Sequence, residues 1–233
     1  MKTKYLQLES IKIAYCEYGC GPHLLLLHHN SGDKKLFKAY QKKHFKDFHT
    51  YAIDSRGHGQ SISSDMDYSI NQFSDDVIAF CDALGIEKAF VIGFSDGGNI
   101  CLFLAKKRPE LFEKIVAISP NYLVSGTKDG SLKGLTYMYK LLVFLKKLHL
   151  PVTKVIMRWE LMLKDIGITD DEMKVITANV FILYADNDMI KEEHILSIAK
   201  LITNSKVLRI KNSTHLSICT KTESIKALLD YFN

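Results

Sequence analysis

No stretch of this 233-residue chain approaches the roughly 18 consecutive apolar residues that a helix needs to cross a bilayer. Its start, Met1-Lys2-Thr3-Lys4-Tyr5, carries no apolar core of the kind a secretory leader requires. The expectation is a cytoplasmic protein with no membrane association. Cysteine is too sparse and too irregular for a disulfide framework. The five residues (Cys16, Cys20, Cys81, Cys101, Cys219) are odd in number and scattered, as reduced and mostly buried thiols would be. Internal repeats, low-complexity tracts and disordered linkers are missing as well. There is no block of like charge either: the net charge is +5, but the lysines are spread along the chain. That distribution reads as a solvated basic surface and argues against nucleic acid as a partner.

What is present is an ordinary globular composition, 47% apolar and 24% charged, in a chain long enough for one large core. Tyr5–Leu8 and Ile11–Tyr15 alternate apolar and polar residues, which predicts an antiparallel hairpin. Leu24–Leu27 is a short continuous apolar run, the signature of a strand buried on both faces. Further strands are predicted at Thr50–Ile53, Ala89–Ile92, Ile115–Ile118, Val180–Tyr184 and Val207–Ile210. Between two of them Ser69 and Gln72 form a capping box for a helix with Ile70, Phe73, Val77, Cys81 and Leu84 on one face, closed by Gly85. Other helices are expected from Asn99 to Lys107, around His194–Leu201, and from about Ser217 to Tyr231. Strands alternating with helices imply an α/β fold with a mainly parallel sheet. Between about 121 and 177 the rhythm breaks into helices, Leu135–Leu150 and Val152–Leu163, the second holding the sole tryptophan, Trp159. The expectation is one domain, 1–233, with a small helical cap inserted at 121–177; for this basic, apolar segment a cap whose apolar face packs on the core is favoured over binding to a membrane surface.

The chemistry gathers where parallel strands end. Ala89-Phe90-Val91-Ile92 runs into Gly93-Phe94-Ser95-Asp96-Gly97-Gly98, a Gly-x-Ser-x-Gly turn leading to a helix. That layout lifts a serine oxygen out of the end of a sheet, and the flanking glycines relieve crowding around its strained backbone. A serine becomes a nucleophile only when a base takes its proton, and the base needs a carboxylate to fix its tautomer. Asp186 and Asp188 both follow the Val180–Tyr184 strand, and His215 follows Val207–Ile210. Cys20, His23, His28 and His29 match no zinc spacing. Arg56 and His58 are expected to organise a loop.

In this order the pieces resemble the α/β-hydrolase family, nearly end to end. His28-His29-Asn30 is similar to the family's His-Gly oxyanion loop, with His29 where glycine usually stands. Asp54-x-Arg56-Gly57-x-Gly59-x-Ser61 is similar to its second loop, and residues 93–98 to its elbow. The Ser-Asp-Gly-Gly form is similar to that of biphenyl-hydrolase-like esterases and related small carboxylesterases. The resemblance implies Ser95 as nucleophile, Asp188 as acid and His215 as base, with the N–H groups of Asp96 and Asn30 as the oxyanion hole. It selects Asp188 because Ala185 then aligns with the glycine opening the family's Gly-x-x-Asp turn. Asp186 is left to face solvent or cap the next helix. Asn121 stands at another place where some relatives keep their acid, a task an amide cannot perform.

The function expected is serine hydrolysis of a small carboxylic ester (or a thioester or amide) with an apolar part, through an acyl-enzyme. No metal and no cofactor are implied, and the chain is expected to act as a monomer or homodimer. Two other readings use the same residues: a hydrolase-fold receptor that captures a small ligand with little turnover, and a carbon–carbon bond hydrolase or perhydrolase.

Overall fold

The run Leu24–Leu27 lies in β3 (His23–Leu27), with all four leucines fully buried. Successive side chains in a strand point to opposite faces, so four leucines in a row demand apolar matter on both sides of the sheet. Leu25 and Leu27 pack into one core with Val91, Ile115, Ile182, Phe73 and Ile100. Leu24 and Leu26 pack into a second, with Ile92, Val116, Leu183, Phe37 and Leu228. The computed structural model describes residues 1–65 and 67–232; Met66 and the terminal Asn233 of the expected domain lie outside them.

Around β3 stand β1 (Lys4–Gln7), β2 (Ile11–Tyr18), β4 (His49–Ile53), β5 (Ile62–Ser63), β6 (Ala89–Phe94), β7 (Phe112–Ile118), β8 (Asn179–Asn187) and β9 (Ser205–Thr214). The order is β1-β2-β4-β3-β6-β7-β8-β9, with β5 on β2. β1 and β2 form the expected antiparallel hairpin, and β2 is also antiparallel to β4. From β4 to β9 every pairing is parallel. The α/β-hydrolase fold read from the sequence, mainly parallel with flanking helices, is therefore the fold observed. α1 (Ile70–Ala83) and α2 (Asp96–Lys107) cover the first core, α6 (Glu192–Leu201) joins them, and α7 (Thr222–Phe232) covers the second.

Local departures from the sequence reading have physical causes. Ser69 Oγ accepts the Gln72 N–H at 3.1 Å, but the Gln72 side chain donates to Asp76 instead of returning to Ser69, so only half the capping box forms. The cap's first helix, α3 (Asp129–Lys147), starts before Leu135 because Asp129 favours its N-terminus, whereas the poor helix formers Gly130 and Gly134 hid that turn. The last helix starts at Thr222, after 217, because the Ser217 hydroxyl accepts the Thr214 N–H at 2.8 Å and holds the tight turn around His215. α4 (Thr153–Leu161) and α5 (Asp170–Lys174) complete the insertion between β7 and β8, whose Thr127 forms an isolated bridge with Ile190, just past β8.

Arg56 does organise its loop. Its Nε and Nη2 donate to the two oxygens of Asp76 on α1 at 2.9 and 2.7 Å, and Nη1 reaches Asp65. The guanidinium is fully buried, so these bonds replace water around it. Arg56→Ala would leave the Asp76 carboxylate buried without its cation, and about 3–5 kcal/mol of stability should be lost. Urea denaturation of the two proteins measures this; a loss below about 1 kcal/mol would show that the pair does not hold the loop.

Candidate active site

The β6–α2 turn fixes the site. Ser95 has φ 56° and ψ −113°, a conformation that costs a residue with a side chain on the order of 1–3 kcal/mol. The turn is held by the Ser95 N–H, which donates to the Ile118 carbonyl on β7 at 2.8 Å, and by the Ser95 carbonyl, which accepts from Asn99 at 2.9 Å. Two glycines make room. A Cβ on Gly93 would lie 2.0 Å from the Gly97 carbonyl oxygen, and one on Gly97 would lie 2.2 Å from that of Leu27. The glycines thus let the helix start against the sheet, which aims Ser95 Oγ past the strand ends.

There it meets the other two residues. His215 Nε2 is 3.1 Å from Ser95 Oγ, and His215 Nδ1 is 2.6 Å from Asp188 Oδ1. A carboxylate accepts, so Nδ1 carries the proton and the Nε2 lone pair faces the serine hydroxyl. Asp188 is buried, and its other bonds come from the Ser119 hydroxyl at 2.6 Å and the N–H groups of Ala185 and Ile190 at 3.1 Å each. Burial pushes this carboxyl up, yet the His215 bond and charge, with Ser119 and Ile190, outweigh it and hold the acid below its usual range. Ser119 escaped the sequence reading. Its position at the end of β7, beside the elbow, was the available signal.

Asp186 corrects an expectation. It is half-exposed and caps no helix, because its carboxylate is engaged elsewhere. Its two oxygens accept the N–H groups of Asn212 and Ser213, at 2.8 and 2.9 Å. Asn212 has φ 50°, so the carboxylate clasps the sharp bend that leads to His215. Those two backbone bonds hold its pKa down. Asn121 takes no part in the relay: its N–H donates to Asn99 Oδ1 and its amide to Thr127 Oγ1.

On the other side of Ser95 lies the loop after β3. The N–H groups of Asn30 and Asp96 donate to no protein acceptor among the described residues. Asn30 Nδ2 donates to Asp96 Oδ2 at 2.9 Å and to the Arg158 carbonyl on α4 at 2.7 Å, so one amide ties the loop to the elbow and to the cap. His28 is buried and neutral, its pKa lowered to about 4 by desolvation; its Nε2 accepts the Ser55 N–H and its Nδ1 donates to the His29 carbonyl. His29, in the glycine position, turns its ring edge-on to Phe94 and bonds the Asn30 carbonyl through Nδ1. His23 packs instead with His49 and Tyr51 at the far end of β3, and Cys20 is exposed. A cavity of about 40 Å³ adjoins Ser95, walled by Asp96, Asn99, Asn121, Leu135, Leu161 and Met162 among others.

Burial raises the Asp96 carboxyl to about 6 against the downward pull of Asn30 and His215. The folded protein therefore keeps this proton to higher pH than the unfolded chain, whose carboxyl ionises near 3.8. Folding takes up a proton between those values, so this group's contribution to stability falls as pH rises from about 4 to 6. Asparagine cannot ionise, and its oxygen still accepts from Asn30. Asp96→Asn should match the parent near pH 4 and exceed it by up to about 3 kcal/mol at pH 8, two units of pKa being worth that much. Denaturation curves across that range check it, and parallel profiles for the two proteins would contradict it.

Comparison with known proteins bears on the fold and the family. Over 116 residues, 50% of this chain and 42% of the other, it is 31% identical to a 2-(acetamidomethylene)succinate hydrolase of Mesorhizobium japonicum, so the match spans less than half of that relative's length. Est816, an N-acyl homoserine lactone degrading enzyme, superposes with a TM-score of 0.79 over 99% of this chain and 100% of its own at 22% identity. A thermophilic esterase from Thermogutta terrifontis gives 0.78 over 100% and 98% at 16% identity. Both structures share the fold. The sequence signature of the alpha/beta hydrolase fold matches residues 22–147, more than half of the sequence, and the chain belongs to that family.

Proposed function

We propose that the protein is a serine hydrolase that cleaves a small carboxylic ester through an acyl-enzyme. The observation that carries this reading is the continuous hydrogen-bonded line from Ser95 Oγ through His215 to Asp188. In this account Ser95 Oγ attacks the acyl carbon as its proton passes to His215 Nε2. Asp188 steadies the resulting imidazolium, and the N–H groups of Asp96 and Asn30 hold the oxyanion. Such a donor is worth roughly 3–4 kcal/mol when removed. His215 then gives its proton to the leaving alkoxide. Water, deprotonated by the same nitrogen, attacks the acyl-enzyme and frees the acid. A cavity of about 40 Å³ beside Ser95, walled in part by Leu135, Leu161 and Met162 and in part by Asp96, Asn99 and Asn121, has room for a short acyl group. Two names among the relatives, a succinate-derivative hydrolase and a lactone-degrading enzyme, fit acyl chemistry of this kind. A complete proton relay favours turnover over mere capture of a ligand.

The two carboxylates of the β8 turn provide the test. Without Asp188 the imidazole loses its tautomer, so Asp188→Asn should lower kcat on a short-chain ester by about 10⁴. In Asp186→Asn the amide oxygen keeps one of the two bonds to the bend before His215 and the tautomer of His215 is untouched, so turnover should stay within a few-fold of the parent. Steady-state kinetics with the opposite ranking would contradict the assignment.

A further inference from the structure

α3 does not pack as an ordinary cap helix. None of its 19 residues is buried. One face, with Leu132, Leu135, Tyr139 and Leu142, is half-buried, and Leu135 on it reaches the cavity wall beside Ser95. No residue of α3 belongs to either apolar core among the described residues. A second apolar face was not expected. Tyr137, Leu141, Phe144 and Leu148 recur at spacings of four, three and four, which places them in one stripe on the helix. The stripe is exposed: Tyr137 by 70%, Phe144 by 55% and Leu148 by 57%. With Met138 and Leu150, it holds six of the thirteen large apolar side chains exposed among the described residues.

Along the chain the charge flanking the stripe is of one sign; the acids near α3 are Asp129 in its first turn and Glu160 on α4, which accepts the Tyr139 hydroxyl on the half-buried face. Between Gly130 and Met157 stand Lys133, Lys140, Lys146, Lys147 and Lys154, and no aspartate or glutamate. This segment alone carries +5, equal to the net charge of the whole chain. Lys133, Lys140 and Lys147 are seven residues apart and so line one edge of the stripe. None of the five lysines has a carboxylate within 4 Å among the described residues. An apolar stripe edged by unpaired lysines has the chemistry of a helix lying in the surface of an anionic bilayer, the aromatic and leucine side chains below the headgroups and the ammonium groups among the phosphates. A second copy of the chain fits poorly, because a two-fold contact would set this cationic face against itself. No described helix is long and apolar enough to cross a membrane, so the contact is peripheral.

We propose that α3 docks the protein on an anionic lipid surface through Tyr137, Leu141, Phe144 and Leu148, with Lys133, Lys140 and Lys147 on lipid phosphates. The inference does not depend on the hydrolytic reading. Co-sedimentation of the full chain with vesicles of phosphatidylcholine, with and without phosphatidylglycerol, tests it. Binding should require phosphatidylglycerol and weaken strongly between about 0.1 M and about 1 M salt. Lys140→Glu/Lys147→Glu and, separately, Phe144→Ser/Leu148→Ser should each weaken it at least about tenfold, while hydrolysis of a water-soluble ester and the melting temperature stay at parental values. Three results would overturn the proposal: no sedimentation with either vesicle, equal sedimentation with both, or binding that the variants leave intact. A concentration-dependent dimer in sedimentation velocity, abolished by Phe144→Ser/Leu148→Ser, would assign the stripe to a second copy and overturn it too.

Discussion

The left-handed backbone of Ser95 is the constraint from which the rest of the site follows. A non-glycine residue stays in that conformation only where its neighbours over-determine it. Here they do so from three strands. β6 delivers the serine, β7 takes its N–H on the Ile118 carbonyl, and the β3 carbonyl of Leu27 presses against Gly97 so closely that no Cβ fits. α2 can start only under the serine, with the Asp96 N–H at its N-terminus donating to no protein acceptor among the described residues; in the proposed reaction this amide would meet the developing negative charge. His215 and Asp188 arrive from β9 and β8 by turns that are themselves clasped, through Ser217 and Asp186 on one and through Ser119 on the other.

Two buried carboxylates flank the same histidine and are pushed in opposite directions. Asp188 accepts four hydrogen bonds, and these overcome its burial and hold it ionised. Asp96 has Asn30 as its side-chain donor, and desolvation prevails, raising it to about 6. The count of donors, more than the depth of burial, separates them. Asn30 also binds the Arg158 carbonyl, so a single amide joins the elbow, the loop after β3 and the cap. α4 is thereby bonded directly to the loop that carries one of the candidate oxyanion donors.

Much of this was legible in the sequence because the signals were local. Four consecutive leucines require a two-sided sheet, and a glycine on either side of Phe94-Ser95-Asp96 requires a crowded turn. The order of Ser95, an aspartate and His215 placed three strand ends at one edge, and the structure brings Ser95, Asp188 and His215 within hydrogen-bonding distance there. Ser119 and Asp186 were not legible, since one is a serine after a strand and the other a carboxylate two residues from a better candidate. Their partners are 69 and 26 residues away along the chain, and no spacing rule reaches that far. The exposed stripe of α3 was not legible for a different reason. Its apolar residues satisfy the helical period on two faces at once, and periodicity alone cannot say which face meets the core.

The central claim is that the strained serine is a nucleophile. Treatment of the native protein with a fluorophosphonate, followed by mass spectrometry of its peptides, tests this most directly. The account predicts one phosphonyl group, on Ser95, with no labelling of Ser95→Ala or of the heat-denatured chain. A folded protein that is left unlabelled, or one that still takes the label at another residue after Ser95→Ala, would contradict it.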